Sequence, residues 1–185
     1  MKLFIASDIH GSAYYCQKLI DAFHKENADR ILLLGDILYH GPRNDLPRDY
    51  APKEVIAMLN PLSDRIICVR GNCDGEVDDM VLDFPVLAEY AIISDCSLGK
   101  NIIFATHGHH FNASKLPKLK NGDVLLHGHT HIPTFENVDG IFVVNPGSVS
   151  IPKENSDHSY MIFENSEFVR KSLDGEILAV NKVGL

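Results

Sequence analysis

Five short polar segments, each placed directly after an apolar run, constrain the fold of this chain more than any other feature. The apolar runs are three or four residues long and rich in Ile, Leu, Val and Phe, as in buried strands. The polar segments carry Asp8 and His10, Asp36, Asn72 and Cys73, His107 and His109, and His129 and His131. Because the end of a strand holds its side chains at the edge of a rigid sheet, we predict that the five segments meet at one metal site.

The periodicity of the chain divides it into two halves. The first half alternates strands, predicted at 2–7, 31–34 and 66–70, with helices that begin near Ser12 and at Pro52. The second half is mostly strand, at 86–93, 101–106, 123–127, 134–138, 141–145, 159–164, 167–172 and 176–183. Asp139-Gly140 and Asp174-Gly175 are typical of hairpin turns. This order predicts an α/β (α+β) fold with two packed sheets and helices outside, in a single domain over residues 1–185.

Length, charge and cysteine usage exclude several classes of protein. A chain of 185 residues with 45% apolar content can bury a substantial core. Its formal net charge of −8 argues against stable nucleic-acid binding, which rewards a basic face. No apolar run approaches the ~20 residues of a membrane span, and the N-terminus lacks a signal-peptide pattern. The four scattered cysteines are predicted to be reduced thiols, so we expect a cytoplasmic protein.

The ligand types in the polar segments indicate which metals they bind. Carboxylate and amide oxygens with imidazole nitrogens, and no thiolates, favour two divalent ions, Mn first, with Fe, Zn or Ni as alternatives. Two such ions about 3.5–4 Å apart clamp a phosphoryl group and activate a bridging water. A shared carboxylate is needed to hold two cations that close, and Asp36 is predicted to be that bridge.

The five segments, in this order along the chain, resemble those of the calcineurin-like metallophosphoesterases. The similarity is greater still to the small bacterial phosphodiesterases of the YfcE type, through the stretches 40–44, 50–52, 70–74 and 145–153. The resemblance implies two mixed β-sheets packed as a sandwich and flanked by helices, in four layers. It also implies a phosphodiesterase that hydrolyses small phosphodiesters with a metal-bridging hydroxide as the nucleophile.

The resemblance further implies which residues bind each metal ion. The first ion would be held by Asp8, His10, Asp36 and His131. The second ion would be held by Asp36, Asn72, His107 and His129. Asn72 suits a shared role, because its amide oxygen binds metal without adding charge while its NH₂ group can donate to a substrate oxygen.

Three further side chains are candidates for contact with the substrate. Cys73 stands where many relatives have a histidine beside the leaving group, and a thiol is a poor substitute for an imidazolium there. His109 is an alternative proton donor to the leaving group. Arg43, in a loop with glycine and proline, can clamp a phosphate through two parallel hydrogen bonds, although a solvated loop arginine explains it equally well.

The sequence leaves alternatives open for function and assembly. A phosphomonoesterase or nucleotidase would use the same metal site. A protein of this fold without catalysis is a second alternative, since one member is a retromer scaffold subunit with a degraded site. The oligomeric state is also open, with a homodimer or homotetramer as the assemblies to test.

Overall fold

The architecture of the protein is a two-sheet sandwich, described here from a computed structural model over residues 1–184. Within this range the helices are α1 Ala13–Glu26, α2 Pro52–Leu59 and α3 Glu76–Asp79, with 3₁₀ turns at Asn60–Arg65 and Cys96–Leu98. The strands are β1 Leu3–Ala6, β2 Arg30–Leu33, β3 Ile66–Cys68, β4 Tyr90–Ile93, β5 Ile103–Thr106, β6 Val124–Leu126, β7 Thr134–Val138, β8 Ile141–Asn145, β9 Ser159–Glu164, β10 Glu167–Ser172 and β11 Ile177–Lys182.

Both sheets are mixed, as predicted. The first has the strand order β11-β10-β9-β1-β2-β3, in which β1, β2 and β3 are parallel and the other pairs antiparallel. The second has the order β4-β5-β6-β8-β7, with β5, β6 and β8 parallel and an antiparallel strand at each edge. Parallel strands bring their carboxyl ends to one edge of a sheet, so the segments that follow β1, β2, β5 and β6 come together in space.

The core follows the alternation of side chains along the strands. In β1, Ile5 faces the second sheet, whereas Phe4 faces α1 and α2 on the outside. On the outer face of the second sheet, Phe104 and Leu125 pack against the non-helical segment 111–119. The sandwich therefore has four layers, with helices over the first sheet and this segment over the second.

Local signals explain where the two longer helices begin. The Ser12 hydroxyl caps α1 by accepting the backbone N–H of Tyr15, and Pro52 occupies the first turn of α2. Both starts match the predicted positions. Among residues 1–184, no helix is long and apolar enough to cross a bilayer.

The predicted strand over residues 86–93 is shorter than expected. Only its second half forms a strand, β4, which pairs with β5. In residues 86–89 the backbone makes isolated hydrogen bonds instead of a ladder: Arg70 N–H donates to the Ala88 carbonyl (2.7 Å), and Val86 N–H donates to Asp79 Oδ1 (3.3 Å). The apolar pattern there reflects burial of Val86 in the core and not strand pairing.

Candidate metal centre

The loops after β1 and β2 are joined by backbone hydrogen bonds, which align their acidic residues. Asp8 N–H donates to the Gly35 carbonyl (3.1 Å), and His10 N–H donates to the Asp36 carbonyl (2.9 Å). The loop after β3 packs so closely that a Cβ at Gly71 would collide with the Asp36 carboxylate. Glycine is therefore required at 71 for the three loops to converge.

Five of the predicted ligands have a left-handed backbone conformation, which is uncommon for residues other than glycine. Their φ angles lie between 49° and 67°, and the residues are Asp8, His10, Asp36, His129 and His131. Each such conformation costs about 1–3 kcal/mol and persists where the surroundings enforce it, commonly at functional sites. Asp8 and His10 come from one loop and His129 and His131 from another, so each of these loops contributes two side chains to the site.

The first cluster of ligand atoms surrounds one carboxylate oxygen of Asp8. Asp8 Oδ1 lies 3.2 Å from His131 Nε2 and 3.5 Å from His10 Nε2, and the two Nε2 atoms are 3.3 Å apart. Asp36 Oδ2 is 3.7 Å from His10 Nε2. These four side chains are all buried and comprise the set predicted for the first metal ion.

The second cluster lies on the other side of Asp36. His107 Nε2 is 3.4 Å from Asp36 Oδ2, 3.1 Å from Asn72 Oδ1 and 3.2 Å from His129 Nδ1. Asp36 Oδ2 therefore faces both clusters, while its Oδ1 accepts the backbone N–H of Cys73 (2.8 Å). The four side chains form the set predicted for the second metal ion, and Asp36 Oδ2 lies 3.7 Å from His10 Nε2 in one cluster and 3.4 Å from His107 Nε2 in the other.

Hydrogen bonds to backbone carbonyls orient three of the imidazoles. Nδ1 of His10, His107 and His131 donates to the carbonyls of Tyr39, Leu34 and Ile151 respectively, at 2.6–2.7 Å. A carbonyl can only accept, so Nδ1 carries the proton and Nε2 is the atom that faces the cluster. Such a bond to the ring nitrogen opposite the metal is the usual support of a ligating histidine.

The two oxygens of Asp8 differ in a way that fits metal binding. Oδ2 accepts from the Ser7 hydroxyl (2.6 Å) and from His129 N–H (3.0 Å), whereas the buried Oδ1 has no hydrogen-bond partner among the described residues. A buried carboxylate oxygen without a partner is costly unless a cation neutralises it. Burial alone would raise the pKa of the Asp8 carboxyl, but the imidazoles of His10 and His131 hold it well below its usual range.

Protons and metal ions compete for the atoms of the second cluster. Burial favours the neutral imidazole of His107, yet the Asp36 carboxylate raises its pKa to about 9. Burial and the charge of His107 lower the pKa of His129 to about 4. Because ligands must be deprotonated, metal binding is expected to release a proton from this cluster. The donor set and its geometry thus fit two divalent cations.

Asp74, which the sequence reasoning did not assign to the site, shapes the loop that carries Asp36. Its buried carboxylate accepts three backbone N–H groups, from Gly71 (2.7 Å), Asp36 (2.8 Å) and Ile37 (2.9 Å). It touches no predicted ligand atom itself. The only signal in the sequence was its place in the segment 71–74, where Asn72 took the role of metal ligand.

A cavity of about 400 Å³ opens directly beside the two clusters. Asp36, Asn72, His129 and His131 line its inner part. The loop residues that line the rest are Gly41, Pro42, Arg43, Asn44, Cys73, Thr130 and Lys153. Arg43, predicted from the sequence, therefore lines the cavity, and so does Lys153, which was not predicted.

Cys73 and His109, the other two predicted site residues, are placed differently. Cys73 lines the cavity, with its Sγ 3.2 Å from Asn72 Nδ2. Burial and the Asp36 carboxylate raise the pKa of its thiol, so it stays protonated. His109 is not among the residues lining the cavity and packs beside His107, with ring centroids 5.4 Å apart.

Comparison with known proteins shows what the chain is similar to. Residues 1–167 match the profile of the calcineurin-like phosphoesterase superfamily domain. The chain is 47% identical over 165 residues to phosphodiesterase YfcE of Escherichia coli K12, covering 89% of this chain and 88% of that protein.

A more distant relative and a solved structure are similar to the chain as well. Phosphodiesterase MJ0936 of Methanocaldococcus jannaschii is 32% identical over 152 residues, covering 80% and 83% of the two chains. The solved structure of the E. coli phosphoesterase Yfce superimposes with a TM-score of 0.94 at 44% identity over the whole of both chains. The protein therefore belongs to the calcineurin-like phosphoesterase superfamily.

Proposed function

We propose that this protein is a metal-dependent phosphodiesterase that hydrolyses small phosphodiesters with two divalent cations. The observation that carries the proposal is the position of Asp36 Oδ2 between two clusters of ligand atoms beside a cavity of about 400 Å³. A cavity of that size suits a small molecule. The names of the relatives at 47% and 32% identity, both phosphodiesterases, support the same reaction.

In the proposed reaction, the residues of the chain hold the two cations, orient the substrate and neutralise its charge. When bound, the two cations would supply Lewis-acid stabilisation of the phosphoryl oxygens and acidify the water that attacks phosphorus. We assign Asp8, His10, Asp36 and His131 to one cation and Asp36, Asn72, His107 and His129 to the other. The oxygen and nitrogen donors favour Mn, with Fe, Zn or Ni as alternatives.

Two cationic side chains in the cavity support binding of a phosphate ester. Arg43 and Lys153 are exposed and line the same cavity as Asn72. The guanidinium can hold two phosphoryl oxygens in parallel, and the ammonium supplies a point charge. Together they offset the overall negative charge of the chain where an anionic substrate enters.

The alternative functions make different demands on this site. A phosphomonoesterase would use the same cations but bind a dianionic phosphate and only one ester group. A scaffold without catalysis has no need for the ligand set, and all seven predicted ligand side chains lie in the two clusters. The remaining sequence-based expectations belong to this proposal too: one domain over 1–185, a cytoplasmic protein, a homo-oligomeric assembly and no stable nucleic-acid binding.

A paired substrate assay tests the proposed reaction. With Mn²⁺ added to the chelator-stripped protein, we expect a bis-nitrophenyl phosphodiester to be hydrolysed with a higher kcat/KM than the nitrophenyl monoester. A preference for the monoester would favour the phosphomonoesterase. Absence of turnover on both esters, with metal bound, would favour the scaffold.

The thiol of Cys73 leads to a prediction about leaving groups. Cys73 lines the cavity beside Asn72, and a thiol is a weak acid, so poor leaving groups receive little help from this position. We expect turnover of aryl phosphodiesters to fall steeply as the leaving-group pKa rises. In Cys73→His the dependence should flatten, with the largest gain for the poorest leaving groups.

Two further cysteine variants complete this test. Cys73→Ser should change turnover little, and Cys96→Ser, at an exposed cysteine, serves as the matched control. A loss of ~10³ or more in Cys73→Ser with metal content intact would show that the thiol takes part in the chemistry, since general acids and bases contribute ~10²–10⁴.

A further inference from the structure

A further group of side chains that could bind a metal ion lies outside the two clusters and outside the cavity lining. Glu89, His109 and His110 each offer one ligand atom, and these atoms all lie within 4.8 Å of one another. Glu89 Oε2 is 3.9 Å from His110 Nε2, and the two imidazole rings have centroids 4.0 Å apart. Nδ1 of His109 is buried and has no hydrogen-bond partner among the described residues.

The pairing of β4 with β5 explains why these residues meet. Tyr90 in β4 pairs with Thr106 in β5, so Glu89 lies next to the loop that leaves β5. The Thr106 hydroxyl donates to the Glu89 carbonyl (3.2 Å). Asn112 Nδ2 donates to the Gly108 carbonyl (3.1 Å) and closes the loop that carries both histidines. The backbone on both sides of the group is therefore fixed.

The side chains of this group, unlike its backbone, have room to adjust. The Glu89 and His110 side chains are 51% and 60% exposed. In a tetrahedral zinc site the bonds are about 2.0–2.2 Å long, which places ligand atoms roughly 3.3 Å apart. The ligand atoms now lie within 4.8 Å of one another, and rotation of the two exposed side chains can bring them closer.

We propose that Glu89, His109 and His110 form a third metal site, separate from the catalytic pair, that binds a divalent transition metal such as Zn²⁺. Two imidazoles and one carboxylate leave a fourth position open to water, as in zinc sites with three protein ligands. Imidazole ligands select Zn²⁺, Ni²⁺ or Cu²⁺ over Mg²⁺ and Ca²⁺, which prefer oxygen.

The neighbours of the third site make it weaker than the catalytic pair. Arg70 Nη1 lies 3.3 Å from Glu89 Oε1, so this cation already neutralises part of the carboxylate and only Oε2 faces His110. The His109 ring lies 5.4 Å from His107 and 6.1 Å from His129, so repulsion from a bound second ion adds to the penalty. The third site should therefore fill after the other two.

Equilibrium dialysis of the full-length protein against a series of free Zn²⁺ concentrations tests the proposal. At a free Zn²⁺ concentration that just saturates the wild type, the wild type should bind one more Zn²⁺ per chain than His110→Asn or Glu89→Gln. Loss of a ligand should weaken this last binding step by at least the ~10–100-fold that loss of a supporting contact causes. His24→Asn, which removes an exposed histidine from α1, should bind as much as the wild type.

The two variants remove ligands from different segments of the chain. If each variant binds one Zn²⁺ fewer than the wild type, both ligands belong to the same site. In the same series with Mg²⁺, the wild type and the variants should bind equal amounts. Equal Zn²⁺ binding by the wild type and both variants over the whole series would overturn the proposal. Because the readout is a difference between chains, it does not depend on whether the catalytic pair hydrolyses phosphodiesters.

Discussion

Replacement of Asp36 by asparagine should remove nearly all phosphodiesterase activity. Oδ2 of Asp36 faces His10 on one side and His107 on the other, so one substitution removes the negative charge that both proposed cations share. Loss of a single donor to the transition-state oxyanion costs about 10²–10³ in kcat. Loss of the bridge weakens two cations at once, so we expect a decrease of at least about 10³.

Steady-state turnover of an aryl phosphodiester, with bound metal counted on the same sample, measures this effect. Asp78→Asn is the matched control, because Asp78 caps α3 through the Gly75 N–H and contacts none of the predicted ligands. An Asp36→Asn protein that keeps both metal ions and normal turnover would contradict the assignment of Asp36 as the bridge.

Replacement of Asp74 by asparagine should give the second largest effect, although Asp74 is not a predicted ligand. Its two oxygens accept three buried N–H groups, and Oδ1 accepts that of Ile37. An amide in this place turns an NH₂ group toward one of these donors, and an unsatisfied buried donor costs about 1–3 kcal/mol. The loop that carries Asp36 would then lose part of its support, which should lower metal affinity ~10–100-fold.

Two measurements on Asp74→Asn separate its effects. Denaturant unfolding gives the change in the free energy of unfolding, and a metal titration gives the change in affinity. The positioning role predicts that saturating metal restores most of the turnover. A variant that is destabilised but binds metal like the wild type would mean that Asp74 supports the fold alone.

The sequence predicted which side chains cluster beside the cavity, but it did not predict how the backbone aligns them. Each predicted ligand follows an apolar run, and the order of the five segments resembles that of the family to which the chain belongs. The left-handed backbone of Asp8, His10 and Asp36 left no mark in the residue types, because Asp and His occupy many conformations. Asp74 was missed because the residue type alone does not show that a carboxylate accepts three backbone N–H groups.

The general architecture was also predictable, but some contacts were not. The parallel first half and the hairpins of the second half followed from periodicity and turn residues. The strand over 86–93 was overextended, because burial of Val86 produces the same apolar pattern as sheet pairing. The approach of Lys153 to the cavity depends on a contact with the loop after β6, where Lys153 N–H donates to the His131 carbonyl (3.2 Å), and no local pattern determines this contact.

The central claim, a phosphodiesterase with two cations joined by Asp36, is tested most directly by titrating chelator-stripped protein with Mn²⁺ while following hydrolysis of an aryl phosphodiester. The protein concentration should lie well above the Kd for Mn²⁺, so that a plot of turnover against added Mn²⁺ per chain gives the number of ions required. We predict little turnover with the first equivalent and a rise to the maximum with the second. Full turnover in the stripped protein, or a maximum at one equivalent per chain, would contradict the account.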